Sequence, residues 1–296
     1  MKNLKTYSAL VLSMIFWSFS FIWSVEALKI YSPFTIILFR ILVSSAFLWV
    51  YALISKKLNK IDLKDLKYFL LLAFFEPFMY FLGETFGLQL VPSTISSVII
   101  STIPIFVPIF AYYIYKEKLS LLNTIGAIVS LLGVFIIIIN KELSLDVPLK
   151  GVLLLMLAVF SAVGYSLIVK YLSEKYRPTT IVTYQSTFAI IGFLPLFLIF
   201  DLSEVIKIGF NLDAAFLIIK LGIFASSFAF ILFTYGVKKI GVSKAGFLTN
   251  AIPVFTAILA YYLLDERLSP IKYIGILVVI VGLVISQIKV KTSQKK

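Results

Sequence analysis

Four charged side chains stand inside long apolar stretches of the sequence: Arg40, Glu76, Glu84 and Lys220. Charges in an apolar environment are costly, so such residues usually have a function and a partner. Arg40 and Glu84 are each about six or seven residues from stretch ends that we place on the same side, a depth of roughly 10 Å in a helix. We therefore expect them to face each other, either within a functional site or as a fixed ion pair that only locks two helices. Lys220 is near the end of its stretch and can reach the surface.

The acidic residues share a spacing with a tyrosine. Glu76, Tyr80 and Glu84 follow one another at four-residue intervals, which places them on one face of a continuous helix. A carboxyl group buried there could exchange protons, so Arg40, Glu76 and Glu84 are candidates for proton coupling or for an ion pair. The alternative for Glu76 is a hydrogen bond to the backbone of a neighbouring helix.

Two prolines stand near the middle of apolar stretches, Pro104 and Pro253. Each removes one backbone hydrogen bond from a helix, and in a membrane the freed carbonyl must be satisfied by protein, water or ligand. Small polar side chains lie beside them, among them Ser101 and Asn250. We interpret the prolines as hinges or as parts of a cavity wall, and a tolerated kink is the alternative.

Aromatic residues are abundant, with 28 Phe, 16 Tyr and 3 Trp. Those that lie away from the stretch ends beside small residues are candidates for lining a cavity, although packing between helices is the alternative for each. The predicted substrate-binding set combines them with polar neighbours: Trp17, Phe21, Tyr80, Glu84, Ser101, Tyr165, Tyr235 and Asn250.

The elements that must position these residues follow from composition. The 296 residues are 61% apolar and 14% charged, against about half and a quarter in an average soluble domain. A helix needs about 20 apolar residues to cross a bilayer. We therefore predict an all-α integral membrane protein with ten transmembrane helices: Tyr7–Val25, Pro33–Ser55, Tyr68–Leu90, Thr94–Tyr115, Ser120–Ile139, Gly151–Leu172, Thr179–Phe200, Ala214–Val237, Ser243–Leu264 and Ser269–Ile288.

The sequence contains no Cys and no His. This excludes disulfides, thiolate nucleophiles, imidazole bases and the usual zinc sites. No P-loop pattern is present, which argues against a primary pump, and nothing resembles the selectivity filter of a channel. We expect neither an enzyme nor a metal or other cofactor, and an integral membrane enzyme is kept only as an alternative of a different class.

The basic residues behind the net charge of +13 are unevenly distributed among the predicted loops. If the N-terminus is inside and the spans alternate, most of the 27 basic residues fall on the inner side. This bias is typical of cytoplasmic loops, so it predicts a multi-pass protein of the plasma membrane with both termini cytoplasmic. Because membrane orientation accounts for the basic excess, we expect no nucleic-acid partner.

The sequence repeats itself at an offset of 149 residues. Matched pairs include Pro104 with Pro253 and Glu117 with Glu266. The chain is thus predicted to consist of two five-helix repeats, residues 1–140 and 151–290, and the odd number inverts the second repeat in the membrane. Inverted repeats are common in secondary transporters, with the substrate site between them.

Several motifs carry a family resemblance. The run AYYxxxExLS occurs twice, at Ala111–Ser120 and Ala260–Ser269, and the other matching segments are FRxL at Phe39–Leu42, ExxGL at Glu84–Leu88 and SKAGFLTNAIPVF at Ser243–Phe255. With these the chain resembles the EamA domain of the drug/metabolite transporter superfamily. The resemblance implies a ten-helix fold with a cavity lined mainly by helices 1, 3, 4, 6, 8 and 9, and export of amino acids, other metabolites or drugs.

The sequence thus favours a secondary carrier that exports amino acids or similar small metabolites by alternating access. Without strong fixed charge at the midplane, a neutral or zwitterionic substrate with an apolar part is expected. Glu76 and Glu84 keep efflux of cationic drugs as the second candidate. The expected partners are a small-molecule substrate and the lipid bilayer, and the protein is expected to be a monomer or a homodimer.

Overall fold

The computed structural model describes residues 2–115, 121–138 and 146–287, and this part of the chain is helical without any strand. Both ends of the predicted span Ser120–Ile139 and the last residue of the predicted span Ser269–Ile288 lie outside these ranges, as does Glu117. The described helices are α1 (Lys2–Leu28), α2 (Pro33–Ile54), α3 (Leu66–Ala73), α4 (Tyr80–Leu88), α5 (Ser93–Ile100), α6 (Ile103–Tyr115), α7 (Leu121–Ile138), α8 (Leu149–Lys175), α9 (Pro178–Phe200), α10 (Leu202–Ile208), α11 (Leu212–Lys220), α12 (Ala229–Ile240), α13 (Val242–Leu248), α14 (Ile252–Leu263) and α15 (Pro270–Gln287).

Seven helical segments in the described ranges are long and apolar enough to cross a membrane. Their outward surface is apolar, with Ile54 and Ile199 more than 70% exposed, as expected for contact with lipid rather than water. The protein is therefore a multi-pass membrane protein. Three shorter apolar helices, Thr124–Ile138, Thr249–Leu263 and Pro270–Ile285, fall within the other three predicted spans, and the count of ten stays a prediction.

Two of the long segments contain a π-helical turn. Phe74–Met79 joins α3 to α4, and Leu221–Phe228 joins α11 to α12. At Glu76 the backbone leaves the helix altogether, with φ −146° and ψ 119°, immediately before Pro77, which has no N–H to donate. The expectation that Glu76 lies on one continuous helix face with Tyr80 and Glu84 is therefore wrong, because the helical spacing is interrupted at Glu76.

Two further segments are broken beside the repeated prolines. A turn at residues 101–102 separates α5 from α6, and a 3₁₀ turn at Thr249–Ala251 separates α13 from α14. Pro104 and Pro253 each occupy the second position of the helix that follows the break, where proline costs no hydrogen bond. The sequence placed both prolines inside continuous helices, and the structure corrects this: each stands in the first turn of a helix.

The first turns of α2 and α9 are capped by distant loops. Asp201, which follows α9, accepts hydrogen bonds from the Thr35 backbone N–H and hydroxyl at 2.8 and 3.0 Å. Asn59, which follows α2, accepts one from the Arg177 N–H at 3.1 Å. Burial raises the pKa of Asp201 above its usual value, although the bonds from Thr35 act in the opposite direction. Each helix is therefore capped by the loop that leaves the other.

Glycines allow the closest helix approach between α7 and α15. A Cβ at Gly282 would lie 2.3 Å from the backbone nitrogen of Ser130, and one at Gly133 would lie 2.6 Å from that of Val279. Small residues of this kind let membrane helices pack backbone against backbone. The α7–α15 pair therefore packs closely, and it contacts the broken segments α5–α6 and α13–α14.

Candidate functional site

A cavity lies among the helix breaks in the described part of the chain. Its wall combines residues of α1, α2, α4, α8 and α12 with the breaks before Pro104 and before Ile252. About 100 Å³ is open to the centre of a water molecule, several times the ~10–15 Å³ that one buried water requires. The cavity thus has room for a small organic molecule, and it adjoins unwound backbone, as substrate sites in transporters commonly do.

The structure brings most of the predicted residues to this cavity. Those in its wall are Trp17, Phe21, Arg40, Glu76, Tyr80, Glu84, Ser101, Pro104 and Tyr165. Their sequence positions range across both predicted repeats, so the fold collects them from distant parts of the chain.

Three predicted residues are not in the wall: Tyr235, Asn250 and Pro253. Tyr235 follows the wall residue Phe233 by two positions, and about 100° of rotation per residue turns it to another side of α12, where Lys239 lies 5.9 Å from its ring centre. Asn250 is buried within the 3₁₀ turn, and neither polar atom of its side chain has a hydrogen-bond partner there.

The polar centre of the cavity is the pair Arg40 and Glu84. Arg40 Nη1 lies 3.7 Å from Glu84 Oε2, and both side chains are no more than 3% exposed. Arg40 Nε donates to Ser226 Oγ at 3.1 Å, and the guanidinium carbon stands 4.0 Å above the centre of the Phe81 ring. Contacts from α4 and from the π-helical turn before α12 therefore hold the guanidinium of Arg40, which belongs to α2.

The facing atoms of Arg40 and Glu84 can each form a further hydrogen bond. Neither Arg40 Nη1 nor Glu84 Oε2 has a hydrogen-bond partner in the described chain. At 3.7 Å they attract each other as charges but are too far apart for a hydrogen bond. Since buried polar atoms are nearly always bonded, an unpaired donor and an unpaired acceptor side by side in a cavity wall are suited to a ligand that offers both.

Glu76 supplies a second carboxyl group to the wall. It stands at the helix break before Pro77 and is 6% exposed. None of the ion pairs found among the described residues includes Glu76. The cavity wall therefore contains two carboxyl groups and one guanidinium, and the guanidinium of Arg40 forms an ion pair with Glu84 rather than with Glu76.

Aromatic rings form the apolar side of the cavity. Trp17 contacts the rings of Phe230 and Phe233 at centroid distances of 5.2 and 5.1 Å, and Tyr165 meets Phe230 edge-on at 6.0 Å. Sequence reasoning missed the two phenylalanines, because nothing distinguishes them among many others. It also missed Ser226, for which the polar pair Ser226–Ser227 inside an apolar segment was an available signal.

The cavity approaches the two faces of the protein unequally. Its wall includes Val242, which is the first residue of α13. Towards the other face it ends at Ser101 and Ile100, and beyond them every residue of α5 is buried. The cavity therefore runs towards the face where α13 begins, and α5 closes it on the opposite face.

The chain is similar to known transporters in sequence and to a solved structure in fold. The sequence model of the EamA-like transporter family matches residues 4–139 and 149–287. An "Uncharacterized transporter" of Archaeoglobus fulgidus is 28% identical, over 95% of this chain and 98% of its own length. The "Uncharacterized transporter YetK" of Bacillus subtilis is 29% identical, over 80% of this chain and 73% of its own. A solved crystal structure aligns with a TM-score of 0.69 over 94% of this chain and 98% of its own, at 15% identity, which is a likeness of fold alone.

Proposed function

Since the chain belongs to the EamA-like transporter family, we propose that it is a secondary carrier that exports amino acids or similar small metabolites by alternating access. The proposal includes two inverted repeats, residues 1–140 and 151–290, in the plasma membrane with both termini cytoplasmic. The two separate matches of the family model and the excess of basic residues in the segments predicted to be cytoplasmic support it.

The choice of substrate rests on one observation, namely that Arg40 Nη1 and Glu84 Oε2 lie side by side in the cavity wall and neither has a hydrogen-bond partner. A zwitterion offers a carboxylate to the guanidinium and an ammonium group to the carboxylate, and each bond is charge-assisted. The rings of Trp17 and Phe230 then accept an apolar side chain. An amino acid has these three parts within a few ångströms of one another.

The broken segments supply a route for the conformational change. The interruptions before Pro104 and Pro253 occur at matched positions in the two halves, and hinges are commonly a few residues at the ends of helices. The two prolines are therefore proposed as hinge positions. Glu76, unpaired in the cavity wall, is the proposed site of proton coupling.

Efflux of cationic drugs is the second candidate function. The wall holds two carboxyl groups, Glu76 and Glu84, against the single guanidinium of Arg40, and it is otherwise rich in aromatic rings. Aromatic faces attract cations, so a cavity of this composition also suits an organic cation.

The test is uptake into proteoliposomes with a panel of amino acids, nucleosides and cationic dyes, with and without a pH gradient. We expect saturable flux of an amino acid that is lost in Arg40→Gln. Saturable dye transport without any amino acid flux would instead select the second candidate. Wild-type rates in Arg40→Gln would remove Arg40 from the substrate site, and full pH dependence in Glu76→Gln would remove Glu76 from proton coupling.

A further inference from the structure

One carboxylate outside the cavity binds the start of another helix with both of its oxygens. Glu266 lies in the segment between α14 and α15. Its Oε1 accepts from the Ser93 backbone N–H at 2.8 Å and from the Ser93 hydroxyl at 2.7 Å. Its Oε2 accepts from the Thr94 N–H at 3.1 Å and from the Thr94 hydroxyl at 2.8 Å.

The helix that Glu266 holds is the one that closes the cavity. Ser93 and Thr94 are the first two residues of α5, and α5 packs against α14. Two of the four hydrogen bonds satisfy helix-terminal N–H groups that have no partner within the helix, the other two bind the Ser93 and Thr94 hydroxyls, and the negative charge stands at the positive end of the helix dipole. Glu266 therefore ties α5 to the end of α14 on the closed face.

The contact differs in position from the other caps between distant elements. Asp201 caps α2, which supplies one residue of the cavity wall, Arg40, and Asn59 caps α9, which supplies none of the lining residues. The cap on α5 lies directly over the closed end. If the cavity is to open on this face, α5 must leave α14, and the four bonds to Glu266 must break first.

We propose that Glu266 is the positioning residue that holds the cavity closed on this face and that its release from Ser93 and Thr94 is required for opening there. This inference rests on the proposed function, because it assigns one step of alternating access to a named contact. The residue acts through α5 and does not touch the substrate.

The chain contains no cysteine, so a single introduced thiol can report access to the cavity. Ser20 lines the cavity on α1 and is replaced in Ser20→Cys. A membrane-impermeant methanethiosulfonate reagent is then added from either side of oriented vesicles. With Glu266 intact, we expect modification mainly from the face where α13 begins.

Glu266→Ala in this background should raise the modification rate from the closed face by about tenfold, the effect of losing a strong helix cap. Glu266→Gln, which retains one acceptor oxygen, should raise it less. The matched control is Asp201→Asn, a capping carboxylate of α2 rather than of α5, which should leave the rate unchanged. An unchanged rate in Glu266→Ala, or an equal rise in Asp201→Asn, would overturn the proposal.

A second experiment tests directly whether α5 must move away from the Glu266 position, with the unlinked double cysteine variant as its control. Thr94→Cys with Glu266→Cys is joined by a short bifunctional thiol reagent. We expect the linked protein to lose transport. We also expect its cavity to stay inaccessible from that face to a photoactivated carbene probe, which does not need a free thiol to react. Wild-type transport by the linked protein would refute the proposal. Since modification needs no substrate, a failure to find any transported compound would affect only the proposed function.

Discussion

The pair Arg40 and Glu84 allows the most quantitative prediction. Glu84→Gln removes one charge and keeps the shape, so the Arg40 guanidinium stays buried without its counter-ion. At 3.7 Å the attraction between the charges is about 4 kcal/mol at an effective dielectric constant of about 20. Breaking one partner of a buried pair typically costs ~3–5 kcal/mol. We therefore expect Glu84→Gln and Arg40→Gln each to destabilise the protein by about 4 kcal/mol.

The double variant separates the pair from its surroundings. Arg40→Gln/Glu84→Gln leaves no unpaired charge, so we expect it to lose about 4 kcal/mol, no more than either single variant and half the sum of the two, which is a coupling energy of about 4 kcal/mol. In a thermal unfolding scan at fixed rate in detergent, each single variant should melt about 10 °C lower than wild type. Transport should stay absent in the double variant if the two groups bind substrate.

An exposed ion pair provides the matched control. Arg267 and Asp265 are 66% and 80% exposed at a separation of 2.9 Å, so Arg267→Gln should leave the melting temperature unchanged. Melting of Arg40→Gln and Glu84→Gln within 1 °C of wild type would refute a stabilising role of the buried pair. A double variant that loses the sum of the two single effects would also refute it, since the charges would then not be coupled.

Three further predictions concern packing, a hydrogen bond and pH. Gly282→Ala places a Cβ 2.3 Å from the facing backbone and should cost ~1–3 kcal/mol in a thermal scan, whereas Gly246→Ala, with nothing within 4 Å of the added Cβ, should cost nothing. Ser226→Ala removes the 3.1 Å bond to Arg40 Nε and should cost about 1.5–3 kcal/mol; an unchanged melting temperature would mean that the bond is not formed. Burial raises the folded-state pKa of Asp201, so the stability contributed by its protonated form is complete below the unfolded-state pKa of about 3.9 and is lost as pH rises through the folded-state pKa. Asp201→Asn should therefore lose less stability than wild type as pH rises. Parallel pH profiles of stability for the two proteins would contradict this.

The sequence was informative where a residue type is rare in its surroundings. Arg40 and Glu84 were predicted to face each other because two charges at one depth in apolar segments have few other partners, and the structure places them 3.7 Å apart. The same rarity led to Glu76, whereas Tyr165 was predicted from its position away from the span ends beside small residues, and both lie in the cavity wall. Phe230 was not predictable, because an apolar aromatic residue in an apolar segment carries no comparable signal.

Helix interruptions were the other limit. The sequence located Pro104 and Pro253 but placed them inside continuous helices, since a proline alone does not tell whether the helix bends at it or begins with it. A break at Glu76 or at Thr249–Ala251 interrupts the regular rotation of 100° per residue, so the sequence cannot predict which way the side chains beyond the break face. Asn250, predicted for the cavity from its polar type, lies within such a break and outside the wall.

The caps between distant loops also have a consequence for synthesis in the membrane. The start of α2 is capped by Asp201 and that of α5 by Glu266, which are separated from Thr35 and Ser93 by 166 and 173 residues. At a ribosomal rate of about 5–20 residues per second, each start waits roughly 10–30 s for its carboxylate. The start of α9 does not wait, because Asn59 is already made. Until the later half of the chain is made, the first N–H groups of α2 and α5 must therefore be satisfied by water or lipid headgroups.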